Sequence, residues 1–510
     1  MTDLSAPKIY PQGLTKYLIV VSVMLVTFME LLDMTIVNVA LPPMMGQLGA
    51  DSDQITWVLT SYIVSSAIVM PLTGFLVDTF GRRRLLLIAI AGFLVSSMMC
   101  GLSVTLDEIL FFRVLQGVFG AVLVPLSQYI LRDSFPKEEQ GMAMAFWGVG
   151  VMVAPVLGPT LGGYITENLT WRWVFYINVP VCIVAFFLTM QVIKETPRKM
   201  PKLDIIGLLL MIGGVGCLQV FLDRGNSVGW FTSKFIQVMV LITVICLTTF
   251  LIRGIRKRDN IINLKLFLNR NFSLSTLLFT LFSIGIISTI SVQPLLLENL
   301  LGYTAESAGL VMAPRGIAAA VSMFIAGMIS NRFDPRWILC AGILISGLGT
   351  YYMSDINTQT SFAVIALQGA VQGFGMGFFF VPIAALALST LSEKDMAEGS
   401  GLFSFGRNVG CSIGISLIST IITQETQINW NQLGGHLQAS SYNLQRYMQI
   451  KHLVANQPES IKQLAGTLLK QASMISFIDA FWIVAVSFVF ILPLVYFLQK
   501  PKGPLNISAH

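Results

Sequence analysis

The sequence predicts an all-α integral membrane protein, a bundle of fourteen transmembrane helices. Of its 510 residues, 55% are hydrophobic and only 11% are charged, whereas about a quarter of the residues in a soluble domain are charged. A transmembrane helix needs about 20 consecutive apolar residues, and apolar runs of that length recur along the whole chain. Such runs exclude a β-barrel, whose strands show short segments of alternating hydrophobicity.

Each helix is placed on an apolar run that is long enough to cross the bilayer. The first eight helices are predicted near residues 17–40, 55–77, 85–103, 109–131, 141–165, 171–193, 203–222 and 234–252. Six more are predicted near 271–297, 307–328, 336–354, 361–390, 397–422 and 474–498.

A partial internal repeat divides these helices into two halves. Gly74–Arg84 follows the second helix, and Gly327–Arg336 follows the tenth, which is the second of the last six. A duplicated six-helix unit is typical of transporters whose substrate site lies between the halves. The predicted organisation is a tail at 1–16, a six-helix bundle at 17–193, an inserted helix pair with its linker at 194–270, a second six-helix bundle at 271–498 that includes the loop 423–473, and a tail at 499–510.

The basic residues predict the orientation of the chain. Of the 32 Lys and Arg residues, 22 lie in the termini and in alternate loops, and the opposite short loops hold three. Because cytoplasmic loops carry the excess of positive charge, both termini are predicted to be cytoplasmic. These loops also account for the net charge of +6, so no nucleic-acid partner is expected.

The cysteines and histidines predict neither a metal site nor a histidine proton carrier. The six cysteines are scattered through apolar runs without a CxxC pair, which favours buried thiols. His436, His452 and His510 lie outside the predicted spans. Proton transfer within the membrane would therefore depend on carboxylates.

The fifth predicted helix carries small residues at helical spacing together with two prolines. The small residues recur every four positions, with one more glycine at the end: Gly150, Ala154, Gly158, Gly162 and Gly163. They form a stripe where a neighbouring backbone can approach closely. Pro155 and Pro159 each remove a backbone hydrogen bond and kink the helix. We interpret the helix as a hinge or seal at the interface of the two halves.

Ionisable residues inside the spans are the candidates for proton coupling, because each costs a few kcal/mol or more in the membrane. Glu30 and Asp33 share one face of the first helix, where desolvation and mutual repulsion favour the binding of a proton by at least one of them. Arg113 lies at a similar predicted depth in the fourth helix and can pair with Asp33. Protonation of Asp33 would then release Arg113 and bias the two access states. The alternative is a fixed buried pair that only orders the bundle.

Further polar residues are predicted to line a substrate cavity. Arg315 and Arg407 lie near the midplane of the tenth and thirteenth helices, where they can face an anionic substrate or instead pair with a carboxylate such as Glu298. The other candidates, which can equally serve to hold helices together, are Asn38, Gln116, Gln293 and Asn408.

The loop after the second helix is interpreted as a cytoplasmic latch. Gly81 permits a tight turn, and Asp78 is placed to cap a helix or to pair across the interface of the halves. The alternative is that three consecutive arginines only fix the orientation. The latch candidates are Gly74, Asp78, Gly81 and Arg82, with Gly327, Arg332 and Arg336 in the second copy.

Four motifs together resemble the major facilitator superfamily over essentially the whole chain. They are Leu32–Pro42 in the first helix, Gly74–Arg84 in the loop, Phe112–Gly117 in the fourth helix and Gly148–Gly163 in the fifth, which is similar to the motif of exporters. The helix number resembles the fourteen-helix drug:proton antiporters of the EmrB/QacA type. Leu222–Gly225, Trp230 with Phe231, Phe405–Asn408 and the long segment after helix thirteen favour the EmrB branch. Thr79 departs from the loop motif, which usually has a basic residue there.

The resemblance implies a proton-driven exporter of hydrophobic or amphipathic small molecules in a bacterial inner membrane. It implies no cofactor, because the proton gradient drives transport, and it implies a periplasmic membrane-fusion adaptor and an outer-membrane channel as partners. Segment 423–473 would then dock the adaptor, and a solvated cap is the alternative. An exporter of the same fold for a dedicated metabolite, such as a siderophore or a fatty acid, remains an alternative function.

No enzymatic activity is predicted. Gly410–Gly414 fits the GxSxG pattern, but it lies in a helical apolar run without a histidine base, so we interpret it as small-residue packing. The sequence has no GxxxxGK[ST] motif for ATP hydrolysis. A passive channel or a membrane sensor is the alternative of a different class, and it predicts activity that is insensitive to a proton gradient.

Overall fold

In a computed structural model, which describes residues 10–199, 204–256, 261–330, 333–392, 394–437, 441–451 and 457–499, every regular element is a helix. The long helices are α1 (Leu14–Leu48), α2 (Gln54–Phe80), α3 (Arg82–Leu102), α4 (Leu106–Ser134), α5 (Lys137–Asn168), α6 (Trp173–Val192), α7 (Ile205–Arg224), α8 (Lys234–Arg256), α9 (Arg270–Leu300), α10 (Ala305–Ile329), α11 (Pro335–Met353), α12 (Phe362–Ser389), α13 (Met396–Gly435) and α14 (Pro458–Tyr496). The tail 500–510, with His510, and also His452 and Arg332 lie outside the described residues.

All fourteen predicted helices are present, and the all-α fold class is confirmed. Among the described residues, 12 helices are long and apolar enough to cross a membrane, and α5 makes 13 when its two bent segments count as one span. The remaining helix, α11, is less apolar because its first turn contains Arg336 and its last turn contains Tyr351 and Tyr352. The bend of about 40° in α5 lies between Glu139–Pro155 and Leu157–Asn168, at the first of its two prolines.

The described residues of the segment 423–473 are mostly helical. The helix α13 continues to Gly435, a short helix covers Tyr442–Ile450, and α14 begins at Pro458. With 40 residues, α13 is about 60 Å long and exceeds a hydrocarbon core of about 30 Å. Hydropathy detects only the apolar part of such a helix. The extended part of α13 contacts α14, since Asn429 donates a hydrogen bond to Ser476 Oγ at 3.2 Å.

The two halves repeat the same helix contacts. In the first half α1 packs on α5, α2 on α4 and α3 on α6; in the second half α9 packs on α13, α10 on α12 and α11 on α14. Between the halves, α5 packs on α10 and α2 packs on α13. The contacts thus follow the parallel duplication that the sequence predicts.

One face of the bundle carries Arg82–Arg84 and Lys194–Lys199, and we call it the basic face. The halves pack together there. Ser400 on α13 donates a hydrogen bond to the carbonyl of Pro125 on α4 at 2.9 Å, and Arg132 on α4 donates to the carbonyl of Ala385 on α12 at 3.1 Å. The second part of α4 therefore touches two helices of the other half.

The inserted pair α7 and α8 pack on each other, and α7 also contacts α2. At the end of α7, on the side opposite to the basic face, the α7–α8 connection bridges both halves. Asp223 accepts a hydrogen bond from Thr60 on α2. Asn226 in the connection donates a hydrogen bond to Ser419 Oγ on α13 at 2.9 Å. We call residues 223–230 the bridging loop.

Candidate functional site

A buried carboxylate on α1 is surrounded by hydrogen-bond donors. Asp33 is fully buried, and its Oδ2 accepts a hydrogen bond from Arg113 NH1 on α4 at 2.7 Å. Its Oδ1 accepts from Gln116 Nε2 at 2.9 Å and from Asn178 Nδ2 at 2.8 Å. Each oxygen of the ionised form is therefore hydrogen-bonded, as a buried charge requires.

The Arg113 guanidinium is held from several sides. Its Nε donates to the carbonyl of Val58 on α2 at 3.0 Å, and its NH1 also donates to Gln116 Oε1 at 2.8 Å. The guanidinium lies 4.4 Å from the centre of the Tyr62 ring, a distance that allows a cation–π contact. The Asp33–Arg113 pair consequently ties together α1, α2, α4 and α6.

Glu30 lies one turn before Asp33 but has far fewer hydrogen-bond donors around it. It is 1% exposed, its Oε1 accepts one long hydrogen bond of 3.4 Å from Tyr62, and its Oε2 has no hydrogen-bond partner. It interacts electrostatically with Arg407 on α13 of the other half and with Asp33. A buried carboxylate with an unsatisfied oxygen is the costly case, and protonation relieves it.

Sequence reasoning missed two residues of this site. Asn178 and Tyr62 belong to helices α6 and α2, and they reach Asp33 and Glu30 only through the tertiary fold. A signal for Asn178 existed, because it is a polar residue beside Pro180 at the start of an otherwise apolar run. Tyr62 carries no such signal, since tyrosines are also common where spans meet the lipid interface.

The predicted cavity residues do not share one environment. Gln116 belongs to the Asp33 network and is fully buried, so in this state it does not line an open cavity. Gln293 and Arg315 contact each other inside the second half. Asn38 is exposed and Arg407 half-buried, whereas Asn408 is buried with an unpartnered Nδ2.

The small-residue stripe of α5 faces α1, whereas the helix itself also packs on α10 of the second half. A Cβ atom at Gly150 would lie 2.8 Å from Met24 Cγ, and one at Gly162 would lie 3.0 Å from the carbonyl oxygen of Ile36. Ala154 and Gly163 are buried, while Pro155 and Pro159 are half-buried. Periodicity identifies a close-packing face, but the partner depends on the rotation of the helix.

Other residues of α5 do meet the second half. A Cβ atom at Gly148 would lie 2.6 Å from Met323 Sδ on α10, and one at Gly309 of α10 would lie 2.9 Å from Thr160 Cβ. The helix α5 therefore presents one close-packed face to α1 and another to α10.

The loop residues of the predicted latch mostly bind within their own half. Gly81 has a positive φ of 83°, which favours glycine. Arg82 donates from Nε to the carbonyl of Lys194 at 2.8 Å and forms an ion pair with Asp133. Asp78 pairs with Lys199 at 3.1 Å instead of capping a helix or reaching the other half. Asp78 therefore has a basic partner, Lys199, although position 79 holds a threonine instead of the basic residue that is usual in the loop motif.

The contact across the interface is made by the glycines. A Cβ atom at Gly74 on α2 would lie 2.6 Å from Glu398 Cβ on α13, and one at Gly327 on α10 would lie 3.1 Å from Ala145 Cβ on α5. The two copies of the motif therefore play equivalent parts. Arg336 lies 4.0 Å from Asp334, a local pair within the second half.

The GxSxG pattern is part of helix packing. A Cβ atom at Gly414 would lie 3.0 Å from Ile284 Cα on α9, and the Ser412 hydroxyl donates a hydrogen bond back to the carbonyl of Asn408 at 3.3 Å. These glycines allow α13 and α9 to approach each other closely.

Comparisons with known proteins agree with this architecture. The family model of the Major Facilitator Superfamily matches residues 23–296 and 272–431. The proton:xylose symporter XylE bound to 6-bromo-6-deoxy-D-glucose has a similar fold, with a TM-score of 0.61 and 15% identity over 96% of this chain and 97% of that one. An inward-facing, unoccupied bacterial homologue of the human lysosomal transporter Spinster has a TM-score of 0.56 and 16% identity over 97% of this chain and 100% of that one.

Several relatives match over nearly their whole length. The multidrug export protein EmrB of Haemophilus influenzae is 34% identical over 505 residues, which cover 98% of this chain and 99% of the relative. EmrB of Escherichia coli is 34% identical over 496 residues, or 96% and 97% of the two chains. The fatty acid resistance protein FarB of Neisseria gonorrhoeae is 34% identical over 489 residues, or 95% and 96%. Together with the duplicated bundle and its motifs, these matches show that the chain is a multi-pass membrane protein of the major facilitator superfamily.

Proposed function

We propose that the chain is a proton-coupled antiporter that exports hydrophobic or amphipathic compounds by alternating access. The observation that carries the proposal is the pair of unequal carboxylates on α1. Asp33 is stabilised as an anion by three donors, whereas Glu30 is buried with one oxygen unsatisfied. Two carboxylates in such different environments can take different roles, Asp33 as a fixed charge and Glu30 as a proton carrier.

Glu30 is the proton carrier in this proposal, and Asp33 with Arg113 positions it. The Arg407 side chain of the second half carries a charge opposite to that of ionised Glu30 and interacts with it when the halves are together. Movement of the halves would withdraw this cation and favour uptake of a proton. The proton state of Glu30 would thereby bias the two access states.

The proton gradient is the energy source, so the proposal includes no cofactor. The entry of one proton down a potential of about 100 mV provides about 2.3 kcal/mol, and the pH gradient adds to it. The substrate would bind between the halves, and the candidate contacts are Asn38, which is exposed, and Arg407, which is half-buried. The transport chemistry requires no covalent step.

We place the protein in a bacterial inner membrane with the basic face in the cytoplasm, because the positive charges collect there. The extension of α13 and α14 then projects into the periplasm and is the proposed docking site for a membrane-fusion adaptor, which would connect to an outer-membrane channel. The relatives named EmrB support this assignment of the family branch.

Efflux from proteoliposomes with and without an imposed pH gradient tests the function. Purified protein should export an apolar cationic dye faster when the gradient favours proton entry. The matched variants are Glu30→Gln and Glu306→Gln, because Glu306 is an exposed carboxylate at the start of α10. Equal transport with and without a gradient in the wild type would instead indicate a passive channel.

A dedicated exporter of fatty acids is the second candidate. It is supported by the relative named fatty acid resistance protein FarB, which matches over 95% of this chain. Transport of laurate but of none of several dyes would favour this candidate over a multidrug pump.

A further inference from the structure

The second half contains a buried cation without a counter-ion. Arg315 on α10 is 2% exposed and is among the largest fully buried side chains. Its NH2 donates a hydrogen bond to Gln293 Oε1 on α9 and lies 3.9 Å from Met353 Sδ on α11. Its Nε and NH1 have no hydrogen-bond partner.

The contrast with Arg113 is direct. Arg113, in the first half, is equally buried but pairs with Asp33 at 2.7 Å. Among the described residues Arg315 forms no ion pair with a carboxylate. An isolated buried charge costs several kcal/mol even after relaxation of its surroundings.

No carboxylate on the surrounding helices can take this place. The only acidic residues on α9, α10, α11 and α12 are Glu298 and Glu306, and both are exposed. Glu306 is nine residues from Arg315, or about 14 Å along the helix axis. The chain therefore leaves a desolvated positive charge in the interior of this half.

The neighbours of Arg315 are polar but neutral. Gln372 on α12 donates hydrogen bonds to Thr289 and Thr350, each at 2.8 Å. Gly369, on the same helix, faces the guanidinium, and a Cβ atom there would lie 3.8 Å from Nε and 4.0 Å from NH2. A methyl group at position 369 would therefore fit in van der Waals contact with the guanidinium, and the glycine leaves that space unfilled.

We propose that Arg315 and Gln293 form a binding site for a monovalent anion, either a carboxylate or a halide. A guanidinium presents charged N–H donors to a carboxylate, and here Nε and NH1 each offer a donor without a partner. The anion is the head group of an amphipathic substrate or a free inorganic anion such as chloride. The substrate arm of this inference deepens the proposed function and rests on it, whereas anion binding itself does not depend on transport.

Equilibrium binding to the full-length protein in lipid nanodiscs tests the site. The probes are radiolabelled laurate, its uncharged methyl ester and an apolar cationic dye. Arg315→Gln should weaken laurate binding by about tenfold or more, the loss expected for a charged hydrogen bond of 1.5–3 kcal/mol, and leave dye binding unchanged. The control is Arg256→Gln, which removes an exposed arginine from the end of α8 and should change neither.

Two further measurements distinguish a substrate head group from a free anion and keep the test valid if Arg315→Gln does not fold. Chloride that raises the thermal stability of the wild type but not of Arg315→Gln, while laurate binds both equally, assigns the site to a free anion. Gly369→Ala, which adds a methyl group beside the guanidinium, should reproduce the loss if Arg315→Gln does not fold. Laurate binding and a chloride effect that are unchanged in all variants would overturn the site. Proton-driven dye efflux by the wild type is measured separately, so a failure of the proposed function is distinguishable.

Discussion

Gly158 of α5 faces Thr35 of α1 so closely that a Cβ atom at position 158 would lie 2.8 Å from Thr35 Cβ and 3.2 Å from the backbone nitrogen of Ile36. Thr35 is two residues from Asp33. The stripe on α5 therefore supports the segment of α1 that carries the buried carboxylate. Its effect on coupling is indirect, through the position of α1.

Enlargement of Gly158 should separate α1 from α5. Overpacking of a close contact costs about 1–3 kcal/mol for a small side chain, so Gly158→Ala should lower the midpoint of thermal unfolding and Gly158→Leu should abolish dye efflux. Gly46→Ala is the control, because nothing lies within 4 Å of a Cβ at that position of α1. A fully active Gly158→Leu protein would show that the stripe is incidental.

Asp33→Asn should both destabilise the protein and stop transport. The amide cannot neutralise Arg113, and removal of one partner from a buried pair costs about 3–5 kcal/mol. The double variant Asp33→Asn with Arg113→Gln should recover part of the stability, measured by thermal unfolding, but no efflux. Normal efflux by Asp33→Asn would contradict a role of this network in transport.

Glu30→Gln should uncouple transport with little loss of stability. The amide keeps the shape of the side chain, and it removes a charge whose Oε2 has no hydrogen-bond partner, which is a costly state in the interior. Downhill dye exchange should persist, while the response to an imposed pH gradient disappears. A gradient response as large as that of the wild type would assign the proton to another group.

The sequence predicts the helices and the chemical types of this site better than their partners. Apolar run length fixes each span, and the cost of a buried charge singles out Glu30, Asp33 and Arg113. Periodicity gives the small-residue face of α5 but not its rotation, so its partner, α1, needed the structure. The contact of Asn178 with Asp33 joins residues 145 positions apart, which no local pattern encodes. The predicted end of α13, near residue 422, is also too early, since the rest of the helix is polar and hydropathy detects only apolar runs.

Gly74→Ala should weaken the contact between the halves at the basic face. The new methyl group would lie 2.6 Å from Glu398 Cβ, so α2 and α13 must move apart. The state in which this face is closed becomes less populated, and dye efflux slows severalfold. Lys199→Ala is the comparison, because it breaks only the exposed pair with Asp78, and such pairs contribute about 0–1 kcal/mol. Equal effects of both substitutions would show that the glycine contact has no special role.

The bridging loop should release the second half before the first. Its bonds to α2 involve the charged side chains Asp223 and Arg224, and charge-assisted hydrogen bonds are about twice as strong as neutral ones. Its bonds to α13 are all between neutral side chains: Asn226 donates to Ser419 and to Thr423, and Trp230 donates to Thr420. Cysteines at positions 226 and 419, once oxidised to a disulfide, should therefore stop dye efflux, and reduction should restore it. Cysteines at positions 22 and 189 are the control, because Ser22 and Thr189 contact each other at 2.9 Å within one half and need not separate. Efflux that continues through the 226–419 disulfide would show that this contact persists during transport.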